Sequence, residues 1–250
     1  LLARLGALTP GLGGPTAVRG QIRQGRYDFL VSVQGWNGQP DDPHVIVGLR
    51  ASGGIEGIQD AGFPPPPRFD GTDVWTADPS TILSGETLTD CRTQLCVPSF
   101  VDRDASVSGG VVVAHGDLPL VFETGAGRFA VTFLGGTLVL RVRTEGSVAR
   151  ATGELTGRWA TREVLSSFGA VRDPSTGQSL CGDNPFYKLV KGAICDTADL
   201  AATPSADRTG APCGAISVAV AFTGVEAKLG AVYAPVGKPS TCPGFTDRCD

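Results

Sequence analysis

Four groups of residues in this 250-residue chain have the types and spacing to do chemistry. The first is Trp36-Asn37 with Asp41-Asp42. An aromatic ring beside amide and carboxylate groups suits a sugar: the ring takes its apolar face and the polar groups take its hydroxyls. Trp75, which follows Asp70-Gly71-Thr72-Asp73, has the same surroundings. The competing account is that each Trp folds over the end of a core. The second group is Asp196, Asp199 and Asp207, in a cysteine-tied stretch. Hard oxygen ligands on a loop suit Ca²⁺, but no EF-hand or nonapeptide spacing is present, and solvated or cap-forming acids are the alternative. The third is Arg141 and Arg143. Strand alternation puts both on one side, opposite Leu138, Leu140 and Val142. Such a stripe would grip an anionic polysaccharide or an acidic partner. Its alternative is a solvated face balanced by Glu145, Glu154 and Glu163. The fourth group is the cysteines.

Seven cysteines are present, at Cys91, Cys96, Cys181, Cys195, Cys213, Cys242 and Cys249. None forms a Cys-x-x-Cys pair, which argues against zinc. They sit in loops beside Gly, Pro and Asp, the pattern of disulfides in an oxidising compartment. The short separations favour Cys91–Cys96 and Cys242–Cys249. One pair is then expected among Cys181, Cys195 and Cys213, with one thiol left over. A longer pairing that ties the C-terminal tail back to Cys181 stays open.

Several enzyme classes lack their motifs. There is no G-x-S-x-G elbow, and His44 and His115 both fall on predicted strands. There is no P-loop, no G-x-G-x-x-G after a strand and no H-E-x-x-H. A glycosidase needs only two suitably spaced carboxylates, and nothing singles out a pair here. A net charge of −4 argues against a nucleic-acid partner. No stretch approaches the ~20 apolar residues of a membrane helix. The chain opens Leu1-Leu2 and holds no Met, so it reads as a mature or trimmed product.

The elements that would position these groups are mostly strands. Tyr27–Gln34 and His44–Arg50 alternate, and a turn-rich segment separates them. Phe63-Pro64-Pro65-Pro66-Pro67 is polyproline II. Asp70–Thr76 is a turn leading into a short strand, and Asp78–Ser106 reads as a long irregular region. Val107–Leu155 reads as a meander of five runs: Val111–His115, Leu118–Glu123, Arg128–Phe133, Thr137–Arg143 and Val148–Leu155. Turn makers separate them at Gly116-Asp117, Gly125-Ala126-Gly127, Gly135-Gly136 and Glu145-Gly146.

Two helices follow. Thr161–Phe168 has Thr161 as its N-cap. In the next, Asn184 caps, Pro185 opens, and Phe186, Leu189 and Val190 share a face. Asp196–Ala201 would add a turn. Ile216–Thr223 alternates large and small, with the small set expected against a second layer. Ala227–Tyr233 would add a strand. The whole reads as mainly β: a two-sheet antiparallel β-sandwich with two or three short helices and long disulfide-tied loops. Residues 1–14 form a flexible or anchoring arm. Residues 15–250 form one domain, with a cysteine-rich helical and loop portion from about 160 onward.

The segments Cys195-Asp196-Thr197-Ala198-Asp199-Leu200 and Asp207-Arg208-Thr209-Gly210-Ala211-Pro212-Cys213-Gly214-Ala215-Ile216-Ser217 resemble a stretch of uncharacterised secreted bacterial lipoproteins. Leu180-Cys181-Gly182-Asp183-Asn184-Pro185 is similar to the same family. The resemblance covers the last third, brings no established activity, and implies a secreted, periplasmic or cell-surface location. The family's lipid-bearing cysteine near the N-terminus has no counterpart here. The expected function is non-catalytic: binding or assembly outside the cell or in the envelope. Expected partners are other subunits, a second copy or a surface polysaccharide, with membrane contact only through a lipid anchor. No cofactor is expected unless calcium. The alternatives are a carbohydrate-active enzyme on a β scaffold and a calcium-dependent adhesion module.

Overall fold

The computed structural model describes residues 15–57, 66–124, 127–168, 171, 176–177, 180–233 and 246–249. The arm at 1–14 and Cys242 lie outside them. The chain opens with helix α1 (Pro15–Arg23), which the sequence reading missed. Strands β1 (Asp28–Gln34), β2 (Asp42–Ser52) and β3 (Val74–Ala77) follow. Next come β4 (Phe100–Ser108), β5 (Val111–Thr124), β6 (Gly127–Glu145) and β7 (Val148–Ala160). Helices α2 (Thr161–Ser167) and α3 (Pro185–Cys195) lead to β8 (Ala215–Val225) and β9 (Lys228–Val232).

The strands do not form two facing antiparallel sheets. Seven of them make one antiparallel sheet in the order β1-β2-β4-β5-β6-β7-β8, curled into a half-barrel. The other two, β3 and β9, form a small parallel pair. The difference lies in the glycines of the meander. Gly116 and Gly135-Gly136 do not end strands. They are bulges inside β5 and β6, which run on for 14 and 19 residues. A bulge bends its strand and increases twist, so one long sheet wraps around its own core. At Gly116 (φ 147°) a Cβ would come within 2.8 Å of the Phe100 ring. Across the β6 bulge the inward set changes from Val131 and Phe133 to Leu138 and Leu140, so both halves still face the core.

The concave face holds that core. Ala114, Leu138, Leu155 and Val220 line up across four strands, and Val112, Leu140, Gly153 and Phe222 form the next row. Gly153 leaves space for a neighbour: a Cβ there would sit 2.6 Å from Phe222 Cζ and 2.5 Å from the Val139 carbonyl oxygen. Helices fill the remaining interior with Val164, Leu165, Tyr187, Val190 and Ile194. In α3, Asn184 accepts the Phe186 amide at 2.8 Å and Pro185 opens the helix. The buried face is Tyr187, Val190 and Ile194, one residue round from the expected one, and Leu189 is 55% exposed. Thr161 is not a cap. Its Oγ1 donates to the Gly214 carbonyl and holds the start of β8. Asp196–Ala201 adds no helical turn.

Two disulfides have both ends described. Cys91–Cys96 staples the loop before β4. Cys249 bonds Cys195, 54 residues away, and not Cys242. The cause is docking of the tail on α3, where Asp247 accepts from Tyr187 Oη at 2.8 Å and Lys191 Nζ at 2.7 Å. No pair forms among Cys181, Cys195 and Cys213: Cys181 is also disulfide-bonded, and Cys213 is free and exposed. The disulfides fit an oxidising compartment. Among the described residues no helix is long and apolar enough to cross a membrane.

Gly153→Ala should lower the unfolding free energy by about 1–3 kcal/mol through overpacking against Phe222. Gly192→Ala in α3, where a Cβ meets nothing within 4 Å, should raise it by up to ~1 kcal/mol. Urea unfolding of the two variants checks both signs.

Candidate functional site

The sheet has two edges, β1 and β8, and they are not hydrogen-bonded to each other. The curl brings them together through side chains. The rings of Phe29 on β1 and Phe222 on β8 meet edge to face, with centroids 4.9 Å apart and planes at 88°. Phe29, Val31 and Val33 point inward from one side of this seam, and Val218, Val220 and Phe222 from the other. All six are only partly buried. They form an apolar floor that is half covered.

The walls are backbone. Ala215 donates to and accepts from Leu200 on the side away from β7. Asp199 accepts the Ser217 amide at 2.7 Å and also its hydroxyl. Alternation then sends the amides and carbonyls of Ala219, Ala221 and Thr223 to the same open side. None of these has a partner among the described residues. The outward side chains Ser217, Ala219, Ala221 and Thr223 are small and exposed, so the expected second layer over them does not exist. The seam was missed because it is a product of topology. The only local signal was the alternation in Ile216–Thr223.

The residues singled out by type are placed elsewhere. Trp36 packs on the core and donates to the Gln39 carbonyl at 2.8 Å. Asn37 Oδ1 accepts the Gln39 amide, and Asp42 accepts the Asn37 and His44 amides. Asp41 holds the Gly109 amide at the neighbouring hairpin. These acids brace the loop and present no sugar platform. Trp75 is 2% exposed, so its ring face is unavailable. Asp196, Asp199 and Asp207 do not converge: Asp199 holds Ser217, Asp207 binds Arg158 at 2.6 Å, and Asp196 ends α3 exposed. Hydrogen bonds from Ser217 and Arg158 hold the carboxyls of Asp199 and Asp207 below the usual range. Among the described residues no cluster of His, Cys, Asp and Glu could hold a metal. Arg141 and Arg143 are exposed on the outer face, with Arg150 opposite Arg143 and paired to Glu145. His115 Nδ1 lies 3.1 Å from Thr137 Oγ1.

An open groove of ≈740 Å³ is lined by Ile55, Glu56, Arg68, Asp73 and Arg92, among others. Most of its charge is committed. Arg92 pairs with Glu56 and Asp90, and Asp73 accepts the Arg68 and Phe69 amides. On the outer side of β1 and β2, Asp28 and Arg50 are two further charges that the sequence did not flag. Burial pushes Asp28 up to about 7, against a smaller opposing effect of the Phe29 amide. Burial lowers Arg50, which is 8% exposed.

No protein-family model, no curated protein and no solved structure matches the chain.

Because the three aspartates are apart, chelation with EDTA or added Ca²⁺ should move the melting temperature by less than about 1 °C. Asp28 gives a pH signature. Its folded pKa is raised, so stability is full below the unfolded pKa and is lost as pH rises through about 7. Asp28→Asn should therefore stabilise by about 1–2 kcal/mol at pH 8, discounted for partial exposure, and by nothing at pH 4. Urea unfolding at the two pH values reads the difference.

Proposed function

We propose that this protein acts without catalysis, by binding or assembly outside the cytoplasm, through the open edge of its half-barrel. The observation that carries the reading is the eight-residue run from Val218 to Val225. It is an edge strand with no charge, no Pro and an unbroken register to β7. Natural edges are normally blunted by Lys, Pro, bulges or covering segments. A long edge without these devices is a template for another strand. The disulfides and the resemblance to secreted lipoproteins both support a periplasmic or surface setting.

A second reading rests on a separate surface. Arg141, Arg143 and Arg150 stand together on the outer face and would suit an anionic polysaccharide. Arg141→Ala with Arg143→Ala should then elute earlier from a sulfated-polysaccharide column, at unchanged melting temperature. Equal elution would remove this reading.

For the edge, native mass spectrometry should show assemblies of the protein, or complexes with partners from its source. Ala221→Lys puts a charge on the edge and should reduce them at least about tenfold with the melting temperature unchanged. A protein that stays monomeric and unpartnered, or assemblies indifferent to Ala221→Lys, would remove the reading.

A further inference from the structure

The strand directions say what is missing. From β1 to β8 each neighbour in the sheet is antiparallel to the last. Seven strands give six reversals, so β1 and β8 run the same way. One more strand, antiparallel to both, would complete an eight-stranded barrel in which every pair is antiparallel. Resting on the reading above, we infer that residues 1–9 of a second copy supply this strand.

The slot defines its occupant. Its floor is the row Phe29, Val31, Val33, Val218, Val220 and Phe222, so alternate residues of the entering strand must be apolar. No charge occurs from Phe29 to Gln34 or from Ile216 to Val225, so a charge facing inward would be buried unpaired. The end at Ser217 is closed by Asp199, which leaves room alongside Val218–Val225.

Residues 1–9, Leu-Leu-Ala-Arg-Leu-Gly-Ala-Leu-Thr, match these demands. Leu1, Ala3, Leu5 and Ala7 fall on one side at strand spacing. Arg4 falls on the other, toward the outer face where Glu154 lies opposite Ala221. The longer segments at 58–65 and 234–245, also outside the described residues, both contain prolines, which interrupt a ladder. The donor belongs to a neighbour because α1 packs against β5, the middle strand of the seven. From there a chain's own residues must pass three strands, roughly 14 Å of arc, to reach either edge. A neighbouring copy has no such path to cross. The contact is head-to-tail, so copies extend into chains or close into rings.

The test uses the full chain, a version shortened by residues 1–14, and a synthetic peptide of residues 1–14. Native mass spectrometry of the full chain should show a concentration-dependent ladder. The shortened chain should be monomeric, bind one peptide and melt higher with it. Ala221→Pro removes an amide that faces the slot and should weaken peptide binding more than about 30-fold. Ala221→Lys serves as a second variant if the proline version folds poorly. A monomeric full chain overturns the inference, as does a shortened chain that ignores the peptide or binds it equally with either variant. Assemblies that survive shortening but are lost in Ala221→Lys also overturn it. That last outcome leaves the assembly reading itself standing.

Discussion

An odd number of antiparallel strands cannot close on itself with antiparallel pairs alone, and that constraint governs this molecule. The sheet curls far enough for its edges to meet but leaves them parallel. What joins them is an aromatic contact, Phe29 against Phe222, and not a ladder of hydrogen bonds. The contact depends on residues well away from the seam. Phe222 needs the space left by Gly153 on β7. The curl itself needs bulges at Gly116 and Gly135-Gly136, each lying against a bulky neighbour where a Cβ does not fit. Glycine is used here for room as well as for backbone freedom.

Those same glycines mark the limit of what the sequence displayed. The apolar runs of the meander are all strand, and their alternation is plain in Val111–His115 and Thr137–Arg143. A Gly-Gly or Gly-Asp between two such runs has the composition of both a hairpin turn and a bulge. Only the partner strand decides. β5 and β6 run past their glycines because each pairs with the other on both sides of the irregularity. β4 was hidden for another reason. Its Asp102, Arg103 and Asp104 look like loop, yet Asp102 accepts the His115 amide and takes part in the sheet. In α3 the cap was legible from Asn184-Pro185, a local interaction. The buried face was set by docking and moved by one residue.

The chemistry-bearing residues show a parallel ambiguity. Carboxylates that bind sugars or calcium do so by accepting hydrogen bonds or donating lone pairs, and those properties also suit them to hold loops together. Asp41, Asp42, Asp199 and Asp207 are all occupied in that way. The cysteines follow the same logic. Cys91 and Cys96 pair because the loop is short. Cys195 and Cys249 pair because Asp247 docks the tail on α3, a proximity with no trace in spacing.

Asp199 ties these strands of reasoning together. With Leu200 it closes the first part of the β8 edge, and Arg158–Asp207 pins the loop that carries both. Edge protection is therefore present on this strand, and it stops after Ser217. Beyond that point the outward backbone groups of Ala219, Ala221 and Thr223 remain available, at little cost while water solvates them. The floor beneath is more costly to leave half covered, because each partly exposed Val or Phe forgoes about 25 cal/mol per Å² of unburied apolar surface. A fold that guards one end of an edge and leaves an apolar floor beside the other is shaped to take a strand at that place. The absence of charge along β8 then reads as a feature of the contact and not as a lapse in protecting the edge.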